Sequence, residues 1–428
     1  MTIKKPDLDN RIYENITLRN DLQAILISDP EAQKAACALD VHVGHLLDPQ
    51  VHGLAHFCEH LLFMGTEKFP IENEYSQFLS SHGGSSNAFT SGSNTNYYFD
   101  INSDFLTGAL DRFAQFFISP LFLEDCTDRE LKAVDSEHKK NIHSDNWRIH
   151  QLEKDTSNPN HPFNNFGTGN IETLRDIPLR DGLDIRKILL DFHERYYSAN
   201  IMKLVVIGKE SIEELKQIVT NLFSPVVNKK TVIPTFAGSP LTPNELQKVI
   251  YVRPVKQTKI IKLIFPFPDD FLHFRTHPCG YASHLIGHEG AGSILSFLKK
   301  SGLANNLSAG ASGSTGTGFD FFRITIELTT LGLEQYQSVV TYVFEYIKMI
   351  QSYDTLEWVF HESLAINSLD FRFKEKQHPA SYCSNVAGNM HLFPAEHVLS
   401  GPYLADLFDP VLIKESLNLL RPDNFRLY

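Results

Sequence analysis

Between Leu54 and Phe63 the chain reads Leu-Ala-His-Phe-Cys-Glu-His-Leu-Leu-Phe, an apolar stretch carrying three ionisable side chains. From His52 to Met64 the apolar positions have helical spacing, so a helix is expected there. On it His56 and His60 share one face, and Glu59 reaches the same side. Burying three such groups without partners is costly. A helix merely polar and solvated on one side is the alternative, and the apolar flanks Leu54, Ala55, Leu61, Leu62 and Phe63 count against it; a metal ion would satisfy the three groups. Two neutral imidazoles fill two corners of a tetrahedral zinc site, a third protein ligand closes it, and a fourth position stays open. Glu59 is then placed to take a proton from water at that open position.

The third ligand is sought on a long helix expected from Asp128 to Lys154, where Glu137 is the best candidate. Glu130 lies two turns back on the same face and is read as the carboxylate that holds a ligand imidazole. One zinc ion per chain follows. His284 and His288 have the same spacing, but no Glu lies between them and Gly287 and Gly290 weaken a helix, so no second metal site is expected. His138, His143 and His150 read as surface residues of the long helix. Cys58 points away from the His56/His60 face and reads as a small buried residue.

A chain of 428 residues exceeds one comfortable core, and two mixed α/β units are expected: 1–232 with the metal motif, a Pro-rich linker at 233–246, and 247–428 without a metal motif. In the second unit, strands are expected at Gln247–Val255 and Thr258–Pro268, with a Gly-rich connection from Ala304 to Gly318 leading into a further strand. The last segment turns at Pro422-Asp423-Asn424 and has room for only a few strand residues before Tyr428, so a piece of something longer is expected. The net charge of −12 without a sustained basic run argues against a nucleic-acid partner. No run is long and apolar enough for a membrane span. Five scattered cysteines with no Cys-x-x-Cys pair argue against a disulfide framework, and the acidic first residues match neither a secretory signal nor a transit peptide. A cytoplasmic location is the expectation.

The block from His56 to Ile101 closely resembles the signature of the insulin-degrading branch of the pitrilysin, or inverzincin, peptidases. Ala109–Phe122, Ala133–Asn141, His161–Asn170 and His284–Ser293 are similar to the same family's later blocks. The resemblance implies an α+β fold of two homologous units, each a mostly antiparallel sheet with helices packed on one face. It carries the zinc ligands onto His56, His60 and Glu137, the base onto Glu59 and the supporting carboxylate onto Glu130. It also implies that the strand Ser86–Thr90, including Ser86, Asn87 and Ala88, adds a substrate peptide to its edge, in keeping with its small polar residues. Phe63, Phe89, Tyr98 and Trp147 match positions lining side-chain pockets, and Leu307 and Gly310 match a distal site for substrate N-termini. Around 311–316 the chain departs from the family by an apparent one-residue insertion.

The activity so implied is that of a zinc endopeptidase on short, flexible peptides of insulin-like, pheromone-like or amyloid type. A C-terminal half of the full-length enzyme would be its partner, closing a chamber and supplying Arg and Tyr groups toward the scissile carbonyl. Without those donors weak activity is expected. The alternative is a zinc- and peptide-binding module with little turnover. An open half-chamber face would also let two copies pair as a homodimer.

Overall fold

The computed structural model describes residues 2–236, 238–311 and 316–428. Contacts divide the chain into two compact units that interleave along the sequence. The first comprises Met1–Lys140, Asn165–Pro234 and Arg372–Ser400; the second comprises Asn141–Asn164, Thr235–Phe371 and Gly401–Tyr428.

The first unit is built on a six-stranded sheet. Its strands are β1 (Ile12–Thr17), β2 (Gln23–Ser28), β3 (Lys34–Val41), β4 (Ser85–Thr90), β5 (Thr95–Asn102) and β6 (Met202–Gly208). The spatial order is β1-β2-β6-β3-β5-β4, and every pairing is antiparallel except β2 with β6. Four helices follow in the first third of the chain: α1 (Leu54–Leu62), α2 (Glu74–Ser81), α3 (Leu106–Ile118) and α4 (Glu124–Asn141). The cluster under them joins Cys37 and Leu39 of β3, Tyr97 and Phe99 of β5, and Phe113, Phe116 and Phe117 of α3. Phe113 meets Phe99 and Phe117 edge-on at centroid distances of 5.2 and 5.3 Å, a favoured aromatic geometry.

β3 reads as an unbroken run of small residues, and Ala35, Ala36, Cys37 and Ala38 are all fully buried. Such a run belongs to a strand covered on both faces. The second cover is the helix Pro379–Leu392, which packs on β3, β5 and β6. It is absent from the sequence expectation because its buried face, Ala380, Tyr382, Cys383, Ser384, Val386 and Ala387, is mostly of small residues and mixed with polar ones, a weak periodic signal; polar groups join that packing. Ser384 donates to Asn96 Oδ1 at 2.8 Å, Asn96 donates to the fully buried Asp40 at 2.6 Å, and His391 Nε2 lies 3.1 Å from Asp40 Oδ1. Arg11 stacks on Tyr382 at 4.2 Å.

The second unit has a four-stranded antiparallel sheet, ordered β10-β7-β9-β8, from β7 (Ile260–Phe267), β8 (Ala304–Ala311), β9 (Asp320–Leu328) and β10 (Arg426–Leu427). Residues from the helices Pro278–Ile286, Ile294–Lys300, Tyr336–Ser352 and Pro410–Leu417 join its main core cluster. From the opposite face Arg323 of β9 reaches Glu153 at 3.1 Å. Glu153 belongs to α5 (Asp145–Asp155).

Three sequence expectations are corrected. The long helix from Asp128 to Lys154 is two helices, α4 and α5, because the chain turns extended at Ser144 and Asp145 accepts from the backbone of Val255 and Lys256 at 2.8 and 2.9 Å. Gln247–Val255 forms only an isolated bridge from Val249 to Leu427, and its Tyr251 is 78 % exposed. Pro254 removes one donor from that segment. Conversely, the first eight residues of the Gly-rich connection are strand β8, whose Ala304 and Leu307 are buried against the core.

One packing detail sets a pH response. His193, on the helix Ile185–Tyr196, stacks on Tyr197 at 4.5 Å and meets Phe122 edge-on at 5.1 Å, and its buried Nε2 has no hydrogen-bond partner. Burial, with a contribution from Lys229, pushes its pKa down to about 3. The folded state thus refuses a proton that the unfolded chain takes up near pH 6.5. The His193 contribution is complete above that pH and is lost as pH falls toward 3. In urea titrations, His193→Phe is expected to flatten the decline in stability between pH 6 and 4.5 by about 1.4 kcal/mol per pH unit. An unchanged slope would refute this account.

Candidate active site

α1 is started by Asp48, whose carboxylate accepts from the backbone N–H groups of Gly53 at 2.7 Å and Ala55 at 2.8 Å. A carboxylate there complements the helix dipole. Gly53 has φ of 86°, and a Cβ on it would lie 2.2 Å from Gly169 Cα. This glycine contact lets the 165–170 loop close against the head of α1. The carbonyl of Thr168 then lies 2.7 Å from His56 Nδ1.

His60, one turn on, has its Nδ1 3.0 Å from Glu130 Oε2. Both histidines thus have acceptors at Nδ1, which directs the proton there and turns each Nε2 lone pair the other way. What they turn toward is Glu137. Its Oε2 is 3.5 Å from His56 Nε2, and its Oε1 is 3.7 Å from His60 Nε2. One ligand atom from each of His56, His60 and Glu137 lies within 4.8 Å of the others, the one such cluster among the described residues. Ligands on a tetrahedral zinc at about 2.0–2.1 Å stand roughly 3.3 Å apart, close to the two imidazole–Glu137 separations, so the donor set and its arrangement fit such an ion. Glu130 and Glu137 are two turns apart on α4, which is why one helix supplies both.

The electrostatics agree with that fit. Burial lowers the pKa of His60, but the hydrogen bond to Glu130 and the nearby carboxylates of Glu137 and Glu59 outweigh it and hold the group up at about 10. A cation is therefore favoured between these carboxylates, and a metal ion would take the place of the Nε2 proton. Glu137 is pulled down, chiefly by its interaction with His60. Glu59 is 6 % exposed, and burial raises its pKa against the lowering effect of His56, Thr90 and His60. Its Oε2 accepts from Thr90 Oγ1 at 2.6 Å. Raised basicity in a buried carboxylate suits proton transfer near neutral pH.

The other expected site residues fall in three places. β4 is the edge strand of its sheet. Its Ser86, Ala88 and Thr90 alternate onto the α1 face, as the Thr90–Glu59 bond and the packing of Ala88 on the α1 core show. Phe63 lies on this face too, half-buried against Tyr75, Tyr97 and Phe116. Asn87, paired with Tyr98, and Phe89, paired with Asn96, take the alternate face of the sheet. Trp147, Leu307 and Gly310 belong to the second unit. Trp147 is half exposed on α5; Leu307 is buried in the core, and Gly310 lies beside Ser283 on the edge strand β8. The expected insertion at 311–316 falls largely on 312–315, outside the described residues. Of the remaining histidines, His284 and His288 stand 6.0 Å apart by ring centroid, and His288 Nδ1 accepts from Gly290 at 2.9 Å. Cys58 is fully buried.

Sequence reasoning missed Thr90, Thr168 and Asp48. Thr90 and Thr168 act through contacts made by folding, with no local spacing to mark them, whereas Asp48 lies just ahead of α1, where an acidic residue before a helix start is the local signal that could have found it.

Comparison with known proteins places this geometry. Residues 23–160 match the family model Insulinase (Peptidase family M16), residues 184–366 match Peptidase M16 inactive domain, and residues 371–428 match Middle or third domain of peptidase M16. The chain is 48 % identical over 425 residues to insulin-degrading enzyme of Homo sapiens, covering 99 % of this chain and 42 % of that protein. It is 44 % identical over 427 residues to insulin-degrading enzyme-like 1, peroxisomal, of Arabidopsis thaliana, covering 100 % and 44 %. The crystal structure of pitrilysin superposes with a TM-score of 0.96 at 33 % identity, covering 100 % of this chain and 45 % of that one. The chain thus spans less than half the length of the curated relatives it matches. On three models of one family and these full-chain identities, the chain belongs to the M16, or insulinase, family of peptidases.

Proposed function

We propose that this chain is the zinc-binding, catalytic part of an endopeptidase acting on short, flexible peptides of the insulin-like kind. The observation that carries the reading is the convergence of His56, His60 and Glu137 beside the buried carboxylate of Glu59. A zinc ion held by those three groups would supply Lewis acidity, polarising the scissile carbonyl and acidifying a nearby water. Glu59 accepts the proton as the water oxygen bonds to the carbonyl carbon, then delivers it to the departing nitrogen as the C–N bond breaks. Glu130 and the Thr168 carbonyl hold the two imidazoles in register. The peptide adds antiparallel or parallel to β4, whose outer edge has no sheet partner among the described residues. Asn87, Phe89 and Tyr98, lying on the alternate face of that sheet, and Phe63 on the α1 face are proposed to flank the peptide; Trp147, Leu307 and Gly310 are proposed to bind more remote parts of it.

A second reading, a zinc- and peptide-binding module with little turnover, is favoured by one fact: the chain spans 42 % of the length of the human relative. The proposed partner is the remaining, C-terminal half of a longer enzyme, and pairing of two copies is the alternative. We also propose a cytoplasmic location, supported by five free, buried cysteines. No helix among the described residues is long and apolar enough to cross a membrane.

The test is hydrolysis of a quenched fluorescent peptide with and without a chelator. Chelator-sensitive cleavage, restored by zinc, is the expected result. Binding of zinc and peptide without cleavage would select the module reading, and chelator-insensitive cleavage would remove the zinc mechanism.

A further inference from the structure

Thr90 is the last residue of the open edge strand β4, and its hydroxyl is the donor to Glu59 Oε2 at 2.6 Å. The neighbouring hydroxyl of Thr95 lies 3.4 Å from Thr90 Oγ1 but donates its own proton to the Val43 carbonyl at 2.8 Å. The Thr90 proton is thereby committed to Glu59. A buried carboxylate with one oxygen pinned has a fixed rotamer and offers its other oxygen to the reacting water. The donor also sits on the one strand to which an extended peptide can add in this sheet beside α1.

We infer that Thr90 is a positioning residue: it aims the base and couples that aim to occupancy of the β4 edge. A peptide hydrogen-bonded along Ser85–Thr90 stiffens the strand end that carries the hydroxyl, so Glu59 is best aligned when substrate is in place. Thr90 reaches the reaction through Glu59 and contacts no reacting atom itself. This inference rests on the peptidase reading above.

The near-isosteric Thr90→Val removes the donor while keeping the β-branched shape, and Thr90→Ser restores it. For cleavage of a quenched fluorescent peptide, Thr90→Val is expected to lower kcat by roughly 10- to 100-fold with KM changed less than about twofold. Zinc content and thermal midpoint, measured on the same samples, are expected to stay at the parent values. Thr90→Ser is expected to recover most of the lost kcat. Parent-like kcat in Thr90→Val would overturn the inference. So would failure of Ser to rescue, or a loss expressed in zinc content or KM, since each assigns Thr90 a structural or binding role. Absence of cleavage by the parent protein would overturn the peptidase reading and this inference with it, whereas active parent and active Thr90→Val would overturn this inference alone.

Discussion

Glu59→Gln is expected to lower peptide cleavage by about a thousandfold, with zinc content and folding retained. The substitution is nearly isosteric, and the amide oxygen can still accept the Thr90 hydroxyl that the carboxylate accepts at 2.6 Å. What it removes is the ability to take up and return a proton. The site has no replacement on the α1 face: His56 and His60 have their Nδ1 atoms engaged by Thr168 and Glu130 and their Nε2 atoms turned to Glu137. Burial makes Glu59 an unusually good proton acceptor for a carboxylate, which enlarges the expected loss. Steady-state kinetics beside metal analysis checks this. A variant that keeps more than about a tenth of the parent rate with full zinc would assign the base to another group.

The second large effect distinguishes the two carboxylates of α4. Glu137→Gln is expected to abolish stoichiometric zinc binding, whereas Glu130→Gln weakens it by about 10- to 100-fold. Glu137 supplies the oxygens that face both Nε2 atoms, and its side chain is 49 % exposed, so the change leaves no buried vacancy and folding is expected to survive. Glu130 touches only the far nitrogen of His60, where a neutral amide oxygen can still accept the Nδ1 proton. It sets the tautomer and basicity of the ligand without being one. Competition titrations against a chromophoric chelator give the two affinities. The reverse order, with Glu130→Gln the more damaging, would exchange the proposed roles.

Both effects trace to a part of the site that was readable from spacing. The four-residue interval of His56 and His60, the adjacent Glu59 and the seven-residue interval of Glu130 and Glu137 are all intervals at which a helix repeats its face. The break between α4 and α5 does no harm to that reading, because it falls after Glu137. The strand expected at Thr258–Pro268 was legible for another local reason, the run of β-branched and aromatic residues that became β7. The Gly-rich β8 was not, since its strand state comes from pairing with β9 rather than from propensity.

The sequence by itself therefore determined that His56, Glu59 and His60 share one helix face and Glu130 and Glu137 another, because helical periodicity is a property of adjacent peptide units. Tertiary structure alone decided what surrounds them. It laid the helix Pro379–Leu392 across the second face of the β3 sheet, burying Cys383, Val386 and Ala387 and pairing Ser384 with Asn96 and Asn96 with Asp40. It brought Thr90 to Glu59 and the Thr168 carbonyl to His56. These contacts join residues tens to hundreds of positions apart, and their strength comes from burial and pairing, which exist only once the chain has closed.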